Sequence, residues 1–460
     1  MATLSAPAAE GTTWERKVRW FYSFLPHKMG AGSTLSLMPL FITDVLGANV
    51  AVVGIASALS SAAAVPAAWF WGWLSDRFGS RRSYLALGFL GFALPTLLMA
   101  FSRDIYTFLL LVVAAAATGM AATPVSSTLI MDSLPRSHWD QAFGRFNQIG
   151  GWALVAGRIF GFLWMTYAVL WWGNEFAQRN LWLIGGGLGL LSVVGAWQMT
   201  PVLNRRRLPE RAHMAEIVGK TGFSLVERPR YLPNSLHHLP TLNPLRLVRQ
   251  LLAAGLGAPI RRFSQPLILY YLVSFLLFTA SVMAYTPFAV WQRQELGNTP
   301  GHVFLVGMVN SIAAAFSYRW VGAAIQRRDS LIVQAGTLTL RVMVFGGFAA
   351  VSLLGLRGPA SLAVLIFLQA LSGLSWAGIA VAGNTTVAHL APRGREGAAV
   401  GTYNSFVGLG AILGALVSGY VVLWLGYGLA FAVGAGGIGL TVLMLMLVRH
   451  WARVNHDVTP

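Results

Sequence analysis

Four basic residues stand where long apolar segments leave them no water: Lys28, Arg158, Arg319 and Arg341. Lys28 lies nine residues past Arg19, about 13 Å along a helix at 1.5 Å per residue. Arg158 lies thirteen residues past Arg145, in the middle of its apolar run. No Asp or Glu reaches the same depth: Asp44 and Asp132 fall near the ends of their runs. A charge at bilayer depth is costly and by default marks a functional site. Buried cations without protein anions want a counter-ion, and an anionic ligand is the economical supplier. Lys28 and Arg158 are the leading candidates to bind it. For Arg341 a packing role on backbone carbonyls stands beside a binding one, and Arg319, eight residues from Arg327, can snorkel to the surface.

Polar side chains in the same segments complete a candidate site: Asn147, Gln148, Asn310, Gln369, Ser372, Tyr403 and Asn404. The aromatics Tyr270, Tyr271, Tyr285, Phe288 and Trp291 offer an amphiphile-tolerant wall or ordinary packing. His27, beside Lys28, could titrate near neutral pH, although a lone His also packs as a hydrogen-bonded neutral ring. Asp44 is the remaining proton carrier. The chain has no Cys, which removes disulfides, thiolate metal sites and a thiol nucleophile. Nucleophile-elbow, HExxH, P-loop and CxxC patterns are missing as well, so no catalytic residue, metal or cofactor is expected.

The elements that hold these residues must be membrane helices. Of 460 residues, 56% are apolar and 10% charged, with mean hydropathy +0.62; soluble domains carry about 25% charged residues. Runs of about 20 apolar residues occur at 20–43, 50–74, 83–101, 105–131, 145–172, 180–202, 266–292, 303–325, 331–356, 360–388, 399–424 and 428–449. Twelve spans place both termini on one side. Arg16, Lys17, Arg19, Arg77, Arg81, Arg82, Arg136, Arg327, Arg328, Arg393, Arg395 and Arg453 share that side, against Arg103, Arg179, Arg293 and Arg357 opposite. Positive charge gathers in the cytoplasm, so both termini are cytoplasmic. The net charge of +18 is then a topology signal and not a nucleic-acid footprint. The acidic and basic residues of the first nineteen positions do not form a cleavable leader, so the first helix stays. Thirty Arg against three Lys, with abundant Ala and Gly, suggests a GC-rich prokaryotic genome and hence an inner membrane.

The longest non-spanning stretch, 203–265, is basic and broken by Pro209, Pro229, Pro233, Pro240 and Pro244. Asn243-Pro244 reads as the cap and first residue of a helix. Leu245, Val248, Leu251 and Leu252 share one of its faces, with Arg246 and Arg249 alongside, which suits an anionic cytoplasmic leaflet; a solvated linker is the plainer reading. On either side of it the chain repeats. Pro135, Arg136, Gly144, Asn147, Gly151 and Gly157 fall at one offset on Pro392, Arg393, Gly401, Asn404, Gly408 and Gly414. Pro39, Leu46, Gly47 and Val53-Gly54 recur, with small insertions, as Pro287, Leu296, Gly297 and Val306-Gly307. Six helices used twice in one orientation is a transporter plan.

Between the second and third spans stands GWLSDRFGSRR: Gly72, Asp76, Arg77, Gly79, Arg81 and Arg82. This resembles the cytoplasmic signature of the major facilitator superfamily, and spans, duplication and inter-half loop agree over nearly the whole chain. Gly72 permits close helix approach, Gly79 a tight turn, and Asp76 could meet the N–H groups of a facing helix end. The resemblance puts that end near Gly397–Val400. Ser80 stands where the family usually has Arg, and Asp132 can pair with Arg81 or Arg82. The second half has Gly322, Gln326, Arg327 and Arg328 at the matching place, a weaker latch.

The resemblance implies an all-α membrane protein with two pseudo-symmetric six-helix bundles. Helices 1, 4, 7 and 10, helped by 5, 8 and 11, would line the cavity. Drug/proton antiporters of the superfamily usually carry Gly-Pro in helix 5, where this chain has Gly157-Arg158. The expected organisation is an N-terminal segment 1–19, a bundle 20–202, the linker 203–265, a bundle 266–449 and a tail 450–460. The expected function is alternating-access transport of a small organic or amphiphilic anion by a monomer. The alternatives are a proton-coupled exporter of lipophilic compounds and a transporter-like scaffold.

Overall fold

The computed structural model describes residues 18–78, 80–135, 138–201, 264–391 and 396–457, and every element among them is helical. Among the described residues, ten helices are long and apolar enough to cross a membrane. They are α2 (Val50–Phe78), α3 (Arg81–Met99), α4 (Ile105–Ser133), α5 (Trp139–Trp172), α6 (Asn174–Met199), α7 (Gln265–Gln294), α8 (Pro300–Arg327), α9 (Ser330–Leu353), α10 (Gly358–Leu390) and a last helix, Glu396–Asp457. Ahead of them α1 (19–45) is built from four short helical segments. The last helix turns at Gly426, whose φ of 77° and ψ of 170° repeat the φ of 84° and ψ of 166° at Gly173, where α5 ends and α6 begins. Only glycine takes that conformation readily. We therefore treat its two arms as α11 (396–425) and α12 (427–457).

The duplication is written into the backbone. Leu46 N donates to Phe41 O and Ala48 N to Ile42 O, around Gly47 at φ 66°. Leu296 N donates to Trp291 O and Asn298 N to Gln292 O, around Gly297 at φ 68°. Each turn then caps the next helix, Asn49 Oδ1 accepting from Ala51 N at 3.0 Å and Thr299 Oγ1 from His302 N at 3.3 Å. A Cβ on Gly157 would meet Met29 O, and one on Gly414 would meet Thr279 O. The same glycine thus brings α5 onto α1 and α11 onto α7.

Helix ends differ from the apolar runs where polar residues extend a helix. α5 starts at Trp139 and not at 145, and α6 at Asn174 and not at 180. Asp104 caps α4, its Oδ1 accepting from Thr107 N at 2.8 Å, and that bond holds the exposed carboxylate below its usual pKa. The linker at 203–265, including its expected surface helix, lies almost wholly outside the described residues, as do most of the N-terminal segment 1–19 and the tip of the tail 450–460.

Across the halves α5 packs on α8 and α2 on α11. The contacts run from the middle of the bundle to the end that carries Asp44. Gly54 faces Ala415 and Ser418, Gly419 faces Ala51, and Gly161 faces Phe304. Rings of Trp152 and Phe316 meet at 6.0 Å. At that end Arg293 Nε donates to Asp44 Oδ2 at 3.1 Å. Toward the end that carries the termini, Asn147, Gln148, Tyr318 and Asn404 are exposed.

Candidate functional site

A cavity of about 680 Å³ lies between the halves. Its wall comes from α1, α5, α7, α8 and α10, with Ser57 of α2 and Arg341 of α9. The resemblance expected α4 and α11 to contribute as well, but no residue of either is in that wall. Both α1 and α7 are interrupted beside it, at Leu35–Ser36 and at Thr286–Pro287. Broken helices of this kind lie at the binding sites of membrane carriers.

Among the described residues, two guanidiniums line the cavity and no carboxylate does. Arg158 follows Gly157, so the close approach of α5 to α1 fixes where its side chain leaves the helix. Its Nη1 donates to the backbone carbonyl of Gly307 in α8, across the halves, while its buried Nε has no partner. Arg341 is 4% exposed. Its Nη1 donates to Ser375 Oγ at 3.1 Å and its Nε is unpartnered. Its guanidinium lies 5.0 Å from the ring centre of Tyr285, 5.4 Å from Phe345 and 5.8 Å from Trp376. Cation–π attraction at these distances partly replaces the lost hydration.

A neutral polar cluster sits beside them. Asn310 Nδ2 donates to Gln369 Oε1 at 2.9 Å, and Tyr285 OH reaches the same oxygen at 3.3 Å while bonding Ser372 Oγ. Gln292 is 1% exposed, lines the cavity, and has no partner for either amide atom. The rest of the wall is mainly apolar, including Leu154, Phe278, Phe288 and Trp376. Such a site suits an organic solute with one charged group and an apolar body.

Of the residues expected at the site, the structure brings Arg158, Asn310, Gln369 and Ser372 together. Lys28 does not join them. It is half-buried, with its stem against the position a Cβ of Gly150 would take at 3.8 Å, and α1 reaches the cavity only from Leu35 onward. Asn147, Gln148 and Asn404 are exposed and do not line the cavity. Tyr403 is buried in a stack with Tyr270, ring centres 6.1 Å apart. Arg319 is exposed, in keeping with snorkelling. Sequence reasoning left Arg341 undecided and passed over Gln292, because depth in the bilayer says nothing about the direction a side chain faces.

Neither expected proton carrier lies in the cavity wall. His27 sits among Phe24, Phe89 and Phe92, its nearest ring 4.6 Å away, and its Nδ1 is buried without a partner. Asp44 has a side chain only 13% exposed and is held by Arg293, Asn174 and Thr43.

In the signature loop, Arg81 and not Arg82 takes Asp132: Arg81 Nε donates to Oδ2 at 3.1 Å, and its Nη1 to Ser75 Oγ at 2.9 Å. Arg82 stacks on Trp197 at 4.6 Å. Gly72 is less crowded than expected, since a Cβ there would lie an ordinary 3.7 Å from Pro124 Cβ. The side chains of Asp76 and Arg77, and Gly79 itself, lie outside the described residues. Gln326 and Arg327 are exposed. The second half uses a different pair near this end, Arg449 Nε donating to Asp329 Oδ2 at 3.1 Å.

A duplicated helical bundle around a central cavity defines a membrane transporter. Residues 21–359 match the family model of the Major Facilitator Superfamily, and the chain belongs to that family. No curated protein matches it. Among solved structures, the nucleoside transporter NupG aligns at 14% identity over 94% of this chain and 98% of its own, with a TM-score of 0.70. A proton-dependent oligopeptide transporter gives 14% identity, 95% and 99% coverage and 0.68. A bacterial homologue of the lysosomal transporter Spinster, inward-facing and unoccupied, gives 14%, 96% of each chain and 0.61. At this identity the likeness is one of fold.

Proposed function

We propose that the protein carries a small amphiphilic organic anion by alternating access, with Arg158 and Arg341 facing the charged group. The observation that carries this reading is a pair of cavity guanidiniums, each with an unpartnered Nε, in a wall that holds no carboxylate. Buried donors without acceptors are costly, and an anion satisfies them while the apolar wall accepts the remainder of the solute. The missing carboxylates also weigh against the proton-coupled exporter of lipophilic compounds, and the cavity itself weighs against a scaffold.

The moving parts in this reading are the bundles 20–202 and 266–449, joined by the linker 203–265. With both termini in the cytoplasm of the inner membrane, the contacts near Asp44 close the extracellular side, and the exposed residues at the other end belong to a cytoplasmic opening. The test is a thermal-shift panel of organic anions, sugars and lipophilic cations on wild type and Arg158→Ala, followed by uptake into proteoliposomes. Stabilisation of wild type, but not the variant, by an organic anion is the expected result. Stabilisation only by lipophilic cations, unchanged in the variant, overturns the reading.

A further inference from the structure

The cavity contains a polar group that anion binding does not use. Gln292 is fully enclosed, and neither its Nε2 nor its Oε1 has a partner. A primary amide buried this way loses its hydrogen bonds to water and gains none from the protein. Every other amide in the cavity wall is treated differently: Asn310 and Gln369 satisfy each other and Tyr285. Gln292 also occupies a defined place. Tyr285, Phe288 and Gln292 all line the cavity from α7, and Gln292 lies seven residues beyond Tyr285, past the break at Thr286–Pro287. Tyr285 stands in the polar cluster, with Arg341 against its ring. Along α7 the Arg341 charge, held against Tyr285, and the unpaired amide are thus set apart, with apolar Phe288 between them in the chain.

The two cations differ in what they still need. Three rings surround the Arg341 guanidinium, so part of its desolvation is already offset. Arg158 donates to one carbonyl, and no ring of the described residues lies over it. One negative charge answers that arrangement better than two. Resting on the anion reading above, we propose that the substrate is an amphiphilic monocarboxylate with a second, neutral hydrogen-bonding group at its far end, a hydroxyl or amide, which Gln292 recognises. Gln292 is then the specificity-determining residue of the site: it can donate to and accept from one hydroxyl or amide, and it disfavours a plain alkyl tail that would leave both of its atoms unpaired.

The experiment measures binding of ω-hydroxydecanoate and decanoate to the full chain in lipid nanodiscs, for wild type, Gln292→Met and Gln292→Leu. Wild type is expected to prefer the hydroxy acid by about tenfold, the effect of satisfying one buried polar group. Both variants are expected to bring that ratio to about one while binding decanoate at least as well as wild type. Both replacements are close in volume to Gln, and decanoate binding reports that each has folded. Equal wild-type affinities, or a preference that survives in the variants, overturns the role of Gln292 and leaves the anion reading standing. Failure of wild type to bind either acid overturns the anion reading and this inference together.

Discussion

Arg293 in α7 and Asp44 at the end of α1 join the two halves through an Nε–Oδ2 bond of 3.1 Å, with side chains 25% and 13% exposed. Asn174 Nδ2 adds a bond of 3.3 Å to the same carboxylate oxygen, and Arg293 Nη1 one of 2.7 Å to Asn298 O. The pair therefore spans the halves and also ties α7 to the turn around Gly297. It must break whenever this end opens.

Arg293→Gln should weaken closure at this end. A partly exposed pair is worth about 1 kcal/mol, a roughly fivefold shift in population. The chain contains no Cys, so one introduced spin-label pair across the Asp44 end can measure the distance distribution. A larger open fraction in the variant is expected, and a smaller difference from wild type at high salt. An unchanged distribution rules out a latch.

Arg158 has both a ligand role and a cross-half role. Arg158→Ala should lower affinity for an organic anion about 10- to 100-fold, the loss of one charge-assisted bond. Arg158→Lys should recover part of that affinity, since it keeps the charge but not the planar fork that serves Gly307 and the ligand together. Titration of a stabilising anion against all three proteins checks the order. Equal affinities remove Arg158 from the site.

Arg81 and Arg82 are adjacent but should behave differently. With side chains 4% and 10% exposed, Arg81 and Asp132 form a buried pair. Arg81→Ala removes one guanidinium from the buried Asp132 carboxylate and should cost about 3 kcal/mol. Arg82→Ala gives up a stack on Trp197, about 0.5–1 kcal/mol. Thermal unfolding in detergent should rank them in that order; the reverse order contradicts the pairing.

Gly157 and Gly72 make a second contrast. A methyl at Gly157 meets the backbone of Met29, which cannot rotate away, so Gly157→Ala should cost at least about 1–3 kcal/mol. A methyl at Gly72 finds ordinary contact with Pro124, and the gain in helix propensity is about 1 kcal/mol. Gly72→Ala should leave stability equal or higher. A drop in melting temperature for Gly72→Ala matching that for Gly157→Ala contradicts this packing.

A proton role for His27 can be tested by substitution. Replacing it with Phe removes an unpartnered Nδ1 from an aromatic setting, which should be neutral or stabilising. Transport should keep its wild-type pH profile. A variant that folds but loses the pH dependence restores His27 as the proton carrier.

Much of the fold is legible in the residues because its causes are local. Apolar length marks a crossing, and Gly47 and Gly297 mark matching turns, since only a few residues of chain are needed to build each. Gly426 shows the same logic: its backbone repeats that of Gly173, and the apolar runs 399–424 and 428–449 already leave a gap there. Arg158, Asn310 and Gln369 were accessible from polarity at depth. Boundaries were less so, because α5 and α6 begin with polar turns that hydropathy does not register as helix.

The sequence alone determined the class of protein, the duplication, and the presence of deep cations without deep acids. The tertiary structure decided which of those cations share a space: Arg341 joins Arg158 in the cavity wall and Lys28 does not. It also decided that Asp132 takes Arg81, and that the unpaired amide of Gln292 faces the cavity. The reason is geometric. Position in an apolar run sets depth along the membrane normal, whereas rotation about the helix axis and the choice of neighbouring helix depend on contacts between residues far apart in the chain, such as Arg158 with Gly307 and Asp44 with Arg293, 149 and 249 positions apart.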